Sequence, residues 1–329
     1  MSDRPPCPAC GADLSFLVKR VDKYAYWHCR ACSLVTALPI PTPAELREFY
    51  DGFLFGSVAD RDFDAKVAEV NRDVRRIASH LRALPGLPAK PRLLDWGGGP
   101  GFYANAFAGE GFDVTLMDID PQATRYAAER FPGRFEILTG DPGEYSGSER
   151  FDVIYCSHVV EHTPDLVRFT ARLRHLLAPG GVAIVATPNQ RCREFFFRVW
   201  WLRGYLAMAA HGLPSAALKF LRTPWICCDP PRHVHALNAR SSRRLFERSG
   251  FHVESCFTES SLDQSYASGR YRADWGVRTP LSILRLPVEL YTLAGLHLLR
   301  LADRGRRWGN NLVLIARVPG EWAQARPPR

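Results

Sequence analysis

The sequence predicts an α/β fold, a mostly parallel sheet with helices on both faces, preceded by a small module framed by cysteines. Three observations predict it. From residue 92 apolar strands alternate with amphipathic helices, as βαβ units do; the first of those strands, RLLDW, runs straight into Gly97, Gly99 and Gly101; and two C-x-x-C pairs stand ahead of residue 33.

Size and charge set the bounds. The 329 residues are 46% hydrophobic, enough for one large core and a minor accessory unit, and the pattern divides at 1–41, 42–91 and 92–329. The net charge of +9 is spread along the chain rather than massed in a tail, which reads as a solvated basic surface. The opening MSDRPPCPACGADL has no apolar stretch of the secretory kind, and no segment reaches the ~18 uncharged apolar residues that a membrane span needs. The chain therefore reads as cytoplasmic, and its nine cysteines as reduced thiols with one metal site rather than as a disulfide framework.

Cys7 and Cys10, then Cys29 and Cys32, with residues 11–28 between the pairs, have the spacing of a four-thiolate zinc site. Pro8 and Gly11 shape the first turn, and LSFLVKRVDKYAYWHC reads as two short strands that bring the second pair opposite the first. Four cysteine ligands leave no open position for a catalytic water, so the expected role is structural, with His28 as the alternative ligand. A module of this size lacks the burial to hold itself together, and the metal is expected to supply that stability.

A proline-rich hinge follows, with Thr42 and Glu45 as a helix start. Residues 62–84 carry apolar positions at helical spacing until PGLPAKP breaks them, and this helix is expected to cap the core. At Gly97, Gly99 and Gly101 the backbone can turn sharply and approach a ligand, with the next helix aiming its positive end there. Asp118 closes the following strand, about 20 residues on, where a carboxylate accepts ribose hydroxyls; capping a helix is its other reading. Gly99, Gly101 and Ala104 also fit G-x-G-x-x-A, which leaves a nicotinamide or flavin nucleotide open at this point.

From residue 92 to 318 the chain resembles the class I methyltransferases, motif by motif and in order. LLDWGGGPG is similar to their first motif, LMDIDP to their ribose-binding acidic loop and FEILTGDPGEY to their adenine-side strand and loop. FDVIYCSHVVEHTPD resembles their fourth strand, HLLAPGGVAIVATPN their fifth, RHVHALNARSSRRLFERSGFHV their last helix and sixth strand, and NNLVLIARVP their antiparallel seventh. The front end resembles a bacterial group in which a zinc ribbon and a segment like AELREFYDGFLFG precede that core. The resemblance implies a Rossmann-like seven-stranded methyltransferase sheet, S-adenosylmethionine as cofactor, and a cofactor site of Asp95, Gly97, Gly99, Gly101, Asp118, Ile119, Asp141, Pro142 and Ser157. Trp96 and Gly98 depart from the usual first motif, and His158 stands where the family often has glutamate.

A sulfonium methyl is already activated, so positioning supplies most of the rate, and a hydroxyl or carbon acceptor needs a base besides. His158 and His162 follow the fourth strand and His233 enters the last helix; these are the candidate bases, His233 first. Tyr50 and Phe55 are candidates to cover the cofactor. Insertions at about 190–230 and 260–308, aromatic and apolar with interleaved arginines, are expected to choose the acceptor, a small molecule such as a sugar or a lipid-linked or secondary metabolite. They also suit a peripheral contact with the inner membrane face. An RNA substrate and a non-catalytic scaffold are the rival readings, and the sequence leaves the oligomeric state open.

Overall fold

The structure, a computed structural model, describes residues 5–21, 23–42, 44–46, 63–147, 149–193, 233–259, 294–295, 297–298, 301–302 and 308–320. In chain order the elements are β1 (Phe16–Val21), β2 (Tyr24–His28), β3 (Val35–Leu38), α1 (Phe63–Arg82), β4 (Arg92–Trp96), α2 (Phe102–Gly109), β5 (Asp113–Asp118), α3 (Pro121–Arg130), β6 (Glu136–Thr139), β7 (Phe151–Ser157), α4 (Leu166–Leu176), β8 (Leu177–Pro188), β9 (His235–Ala236), α5 (Ala239–Arg248), β10 (His252–Glu259) and β11 (Asn311–Arg317). Tyr50, Phe55 and nearly all of both expected insertions lie outside the described residues. Among the described residues no helix is long and apolar enough to cross a membrane.

The large sheet has seven strands in the order β10-β11-β8-β7-β4-β5-β6. β4 pairs in parallel with β5 and β7, β5 with β6 and β7 with β8, while β11 runs antiparallel to both of its neighbours. This is the expected Rossmann-like sheet. Its strand order reverses between β4 and β7, and the chain leaves both strands at the same edge, which opens a crevice there.

Burial on both faces follows from the period of the strands. Leu94, Trp96, Ile154 and Cys156 pack on one face with Leu166, Phe169 and Leu173 of α4 and Leu245 and Phe246 of α5. Leu93, Val153 and Tyr155 turn to the other face, where Val70, Val74, Ala78 and Leu81 of α1 and Phe107 of α2 meet them. α1 thus covers the core as expected, with Phe63 set against Phe102 at 5.5 Å between ring centroids.

The two strands expected between the cysteine pairs are β1 and β2, paired from Phe16 opposite His28 to Val21 opposite Tyr24. β3 continues this meander, and β9, from far along the chain, completes a sheet in the order β1-β2-β3-β9. Leu14, Leu34, Cys7, Cys29 and Cys32 are buried in the same cluster as the α4 and α5 side chains. The N-terminal module therefore shares a hydrophobic core with the large sheet, in addition to whatever its own ligands contribute.

Candidate functional site

The glycine loop forms the floor of the crevice. Gly97, Gly99 and Gly101 have φ of 72°, 50° and 80°, and a Cβ on Gly97 would lie 2.4 Å from Cγ2 of Val159. Gly101, at the start of α2, provides no side-chain cap for that helix. Asp95, 2% exposed, lies beneath this loop, and a Cβ on Gly98 would fall 2.6 Å from its Oδ2. Burial and then the neighbouring Asp118 push its carboxyl up to about 7, although the Ala104 amide donates to it.

Asp118 stands beside the loop at the end of β5. Its Oδ2 accepts from the Gly99 amide at 2.8 Å and its Oδ1 from the Asp120 amide at 2.9 Å. Burial raises its pKa while these amides lower it. Capping of α3 falls to Asp120, whose side chain accepts from Gln122 at 2.8 Å. Ile119 is 68% exposed, an apolar platform next to the carboxylate. Just past the end of β6 the Gly140 amide donates to the Asp118 carbonyl at 2.8 Å, bringing Asp141 and the buried Pro142 to the same edge; Asp141 accepts from Gly143 at 2.7 Å.

The opposite wall begins where β7 ends at Ser157. His158 has φ of 57°, a conformation that costs a non-glycine residue about 1–2 kcal/mol. Its Nδ1 lies 3.1 Å from Oε1 of Glu161, a buried carboxylate whose Oε2 accepts from Thr187 at 2.9 Å. Burial alone would raise the Glu161 pKa, but the hydrogen bond from His158 and the fields of His158 and His162 outweigh it and hold the carboxyl below its usual value. His162 Nε2 is 3.8 Å from Oε1 of Glu161, and its ring sits 4.7 Å from that of His233, centroid to centroid. Glu161, His162 and His233 offer donor atoms all within 4.8 Å of one another. All three sequence-predicted histidines thus gather around one buried carboxylate.

The four cysteines converge as their spacing predicts. Sγ of Cys7 is 3.6 Å from that of Cys32, Sγ of Cys10 is 3.6 Å from that of Cys29, and all four sulfurs lie within 4.8 Å of one another. Disulfides need about 2.05 Å, whereas a tetrahedral zinc with ~2.3 Å bonds sets its sulfurs about 3.8 Å apart. The donor set fits zinc, and the thiol of Cys32 pointing at Cys7 lowers the Cys7 pKa, easing loss of its proton. His28 is not among the converging atoms.

The sequence profile described as a methyltransferase domain matches residues 68–256, which take in most of α1, the glycine loop, both walls of the crevice and β10 as far as Cys256. The chain belongs to the methyltransferase domain family. Among curated proteins, this methyltransferase-domain chain is 29% identical over 163 residues to a ubiquinone biosynthesis O-methyltransferase of Bradyrhizobium sp. (strain ORS 278), covering 46% of this chain and 62% of that one. It is 34% identical over 129 residues to the protein so named from Rhodopseudomonas palustris (strain TIE-1), covering 38% and 49%. The matches therefore span about half to three-fifths of these relatives' length. Among solved structures, the 1,6-didemethyltoxoflavin-N1-methyltransferase of Burkholderia thailandensis aligns with 92% of this chain and 98% of its own at a TM-score of 0.48 and 16% identity. Phosphoethanolamine N-methyltransferase 2 of Haemonchus contortus aligns with 81% and 60% at a TM-score of 0.46 and 16% identity.

Glu161 escaped the sequence reading. The signal was there in SHVVEH, where a carboxylate stands three residues after one histidine and directly before another, on a turn that closes a buried strand.

Proposed function

We propose that this methyltransferase-domain chain transfers the methyl group of S-adenosylmethionine to an oxygen of a small-molecule acceptor. The observation that carries the reading is the pairing of two unlike walls across one crevice. Asp118, Ile119 and the glycine loop offer a ribose acceptor, an apolar face and a backbone turn that carries no side chains at Gly97, Gly99 and Gly101, which suits close approach of a nucleoside. Across from them three histidines surround Glu161, which suits removal of a proton from a hydroxyl. The relatives named as O-methyltransferases support oxygen over nitrogen or carbon.

In this reading Asp118 accepts the ribose hydroxyls, with Ile119, Asp141 and Pro142 along the base and Asp95, Gly97, Gly99, Gly101 and Ser157 along the methionine part. S-adenosylmethionine supplies an electrophilic methyl. Glu161 orients the imidazoles, and His233 or His162 takes the acceptor proton while His158 holds Glu161 in place. Zinc on Cys7, Cys10, Cys29 and Cys32 supplies a fixed structural cross-link and no chemistry at the acceptor.

Calorimetry with S-adenosylmethionine and S-adenosylhomocysteine tests the cofactor half, and mass spectrometry of a panel of phenols, sugars and other hydroxylated compounds tests the acceptor half. Micromolar binding with a one-methyl mass gain on a hydroxyl is expected. A chain that binds neither nucleoside would overturn the reading and leave a scaffold in its place. Methylation of RNA with a steep loss of binding in salt would replace the small molecule instead.

A further inference from the structure

The N-terminal module is joined to the histidine wall by more than apolar contact. β3 lies against β9 with Thr36 opposite His235 and Val35 opposite Ala236, and the Ala37 amide donates to the Val234 carbonyl at 2.9 Å. The same short segment is tied to Glu161, whose backbone carbonyl accepts from the amides of Val234 at 2.8 Å and His235 at 3.2 Å. His233 stands immediately before it. A two-residue strand has little structure of its own, so its place is set by what flanks it: the module on one side and Glu161 on the other.

A buried polar bridge runs through this joint. Oγ1 of Thr36 and Nδ1 of His235 are 2.9 Å apart, each residue 1% exposed; Nε2 of His235 is buried without a hydrogen-bond partner, and the backbone of Thr163 and Pro164, the two residues after His162, lies beside the ring. Apolar side chains would have closed the gap as well; a hydroxyl and an imidazole in the core add direction, because only a narrow range of positions satisfies them. A second bridge begins one residue past Cys32. Ser33 is held at φ of 63° with its amide donating to the Cys29 carbonyl at 2.7 Å, and its own carbonyl accepts from Nδ2 of Asn238 at 2.9 Å. Asn238 caps α5, two residues after β9.

We propose that the four-cysteine module is a positioning element of the acceptor wall, and that Thr36 and His235 are the residues through which it sets His233 and His162 around Glu161. This rests on the reading of that wall as the acceptor side. Thr36 and His235 touch neither cofactor nor acceptor; they act through the backbone of 161–164 and 233–234.

The test uses the full-length, metal-loaded chain and Thr36→Val, which removes the hydroxyl and keeps the volume, with Thr36→Ser as the conservative rescue. Imidazole nitrogen shifts of His162 and His233, read by long-range proton–nitrogen NMR, report the geometry without any turnover. Thr36→Val is expected to keep the parent's zinc content and to bind S-adenosylhomocysteine within about twofold, while the His162 and His233 signals move and Thr36→Ser returns them. With an acceptor in hand, kcat is expected to fall about 10- to 100-fold at unchanged KM for S-adenosylmethionine. Parent-like imidazole signals in a folded Thr36→Val protein overturn the proposal. Should that variant not fold, His235→Gln is read by the same signals and the same criterion. Moved signals in a chain that methylates no acceptor would overturn the reading of the wall while leaving the coupling established.

Discussion

The amide of Gly99 donates to Oδ2 of Asp118 at 2.8 Å, so the glycine loop and the end of β5 are locked together through the carboxylate assigned to the ribose. The group proposed to recognise the cofactor also sets the shape of the loop beside it.

Asp118→Asn removes the charge and one acceptor while keeping the shape. The affinity for S-adenosylhomocysteine is expected to fall about 10- to 100-fold, the ~1.5–3 kcal/mol of a hydrogen bond to a charged group. Calorimetry reads the affinity. Near-parent melting is expected alongside, and an unchanged affinity would remove Asp118 from the site.

Asp95 makes stability fall with rising pH. Its carboxyl is raised from 3.8 to about 7 by burial and by Asp118. Below both values folded and unfolded chains alike hold the proton; through that window only the folded chain keeps it, and above about 7 the penalty is constant. Asp95→Asn, which cannot ionise, is expected to gain melting temperature on the parent between pH 5 and pH 8, the gain growing through the window. Parallel pH profiles for the two proteins would contradict this.

Glu161 has the opposite sign. Its pKa lies below the usual 4.5, so its contribution to stability is present above that value and is lost as pH falls through the lower folded one. Glu161→Ala leaves Thr187 and His158 without their acceptor and is expected to cost about 1–3 kcal/mol in denaturant unfolding. Glu161→Gln is expected to lose less stability but most of the methyl transfer, since a neutral amide supports a charged imidazole poorly.

Much of this was legible because periodicity and spacing are local. Leu93, Leu94, Val153 and Ile154 announce strands buried on both faces, and four cysteines at that spacing announce one convergent cluster. The wall that carries Asp118 was legible too, because Gly97 to Gly101 directly follow β4 and Asp118 ends β5. What escaped was contact between distant segments. Nothing in VHALN says that His235 pairs with Thr36, 199 positions away, or that Asn238 reaches back to the carbonyl of Ser33. Glu161 was passed over because a carboxylate in a polar run reads as solvated until the fold buries it.

The cysteine cluster is expected to hold one zinc per chain, released by a mercurial and read with a chromogenic chelator. Removing it, or Cys32→Ser, should lower the melting temperature, as loss of a structural zinc does. Retention of parent stability after complete removal would make the shared core, with Leu14 and Leu34, sufficient by itself.

Arg317 supplies a control on a different face of the molecule. It is 0% exposed at the end of β11, and its guanidinium donates to the carbonyl of Gly180 at 2.9 and 3.2 Å and to that of Pro85 at 2.9 Å. It thereby fastens the turn inside β8 and the segment after α1 to the antiparallel strand. Arg317→Met fills much of the volume but strips the carbonyls of half-buried Gly180 and exposed Pro85 of a charged donor, and hydrogen bonds to charged groups are worth about 1.5–3 kcal/mol. Denaturant unfolding should show a loss in that range for the pair together, tempered by water reaching Pro85. Because the crevice is formed by β4, β5 and β7, affinity for S-adenosylhomocysteine should stay at the parent value, which separates a general loss of stability from damage to the site.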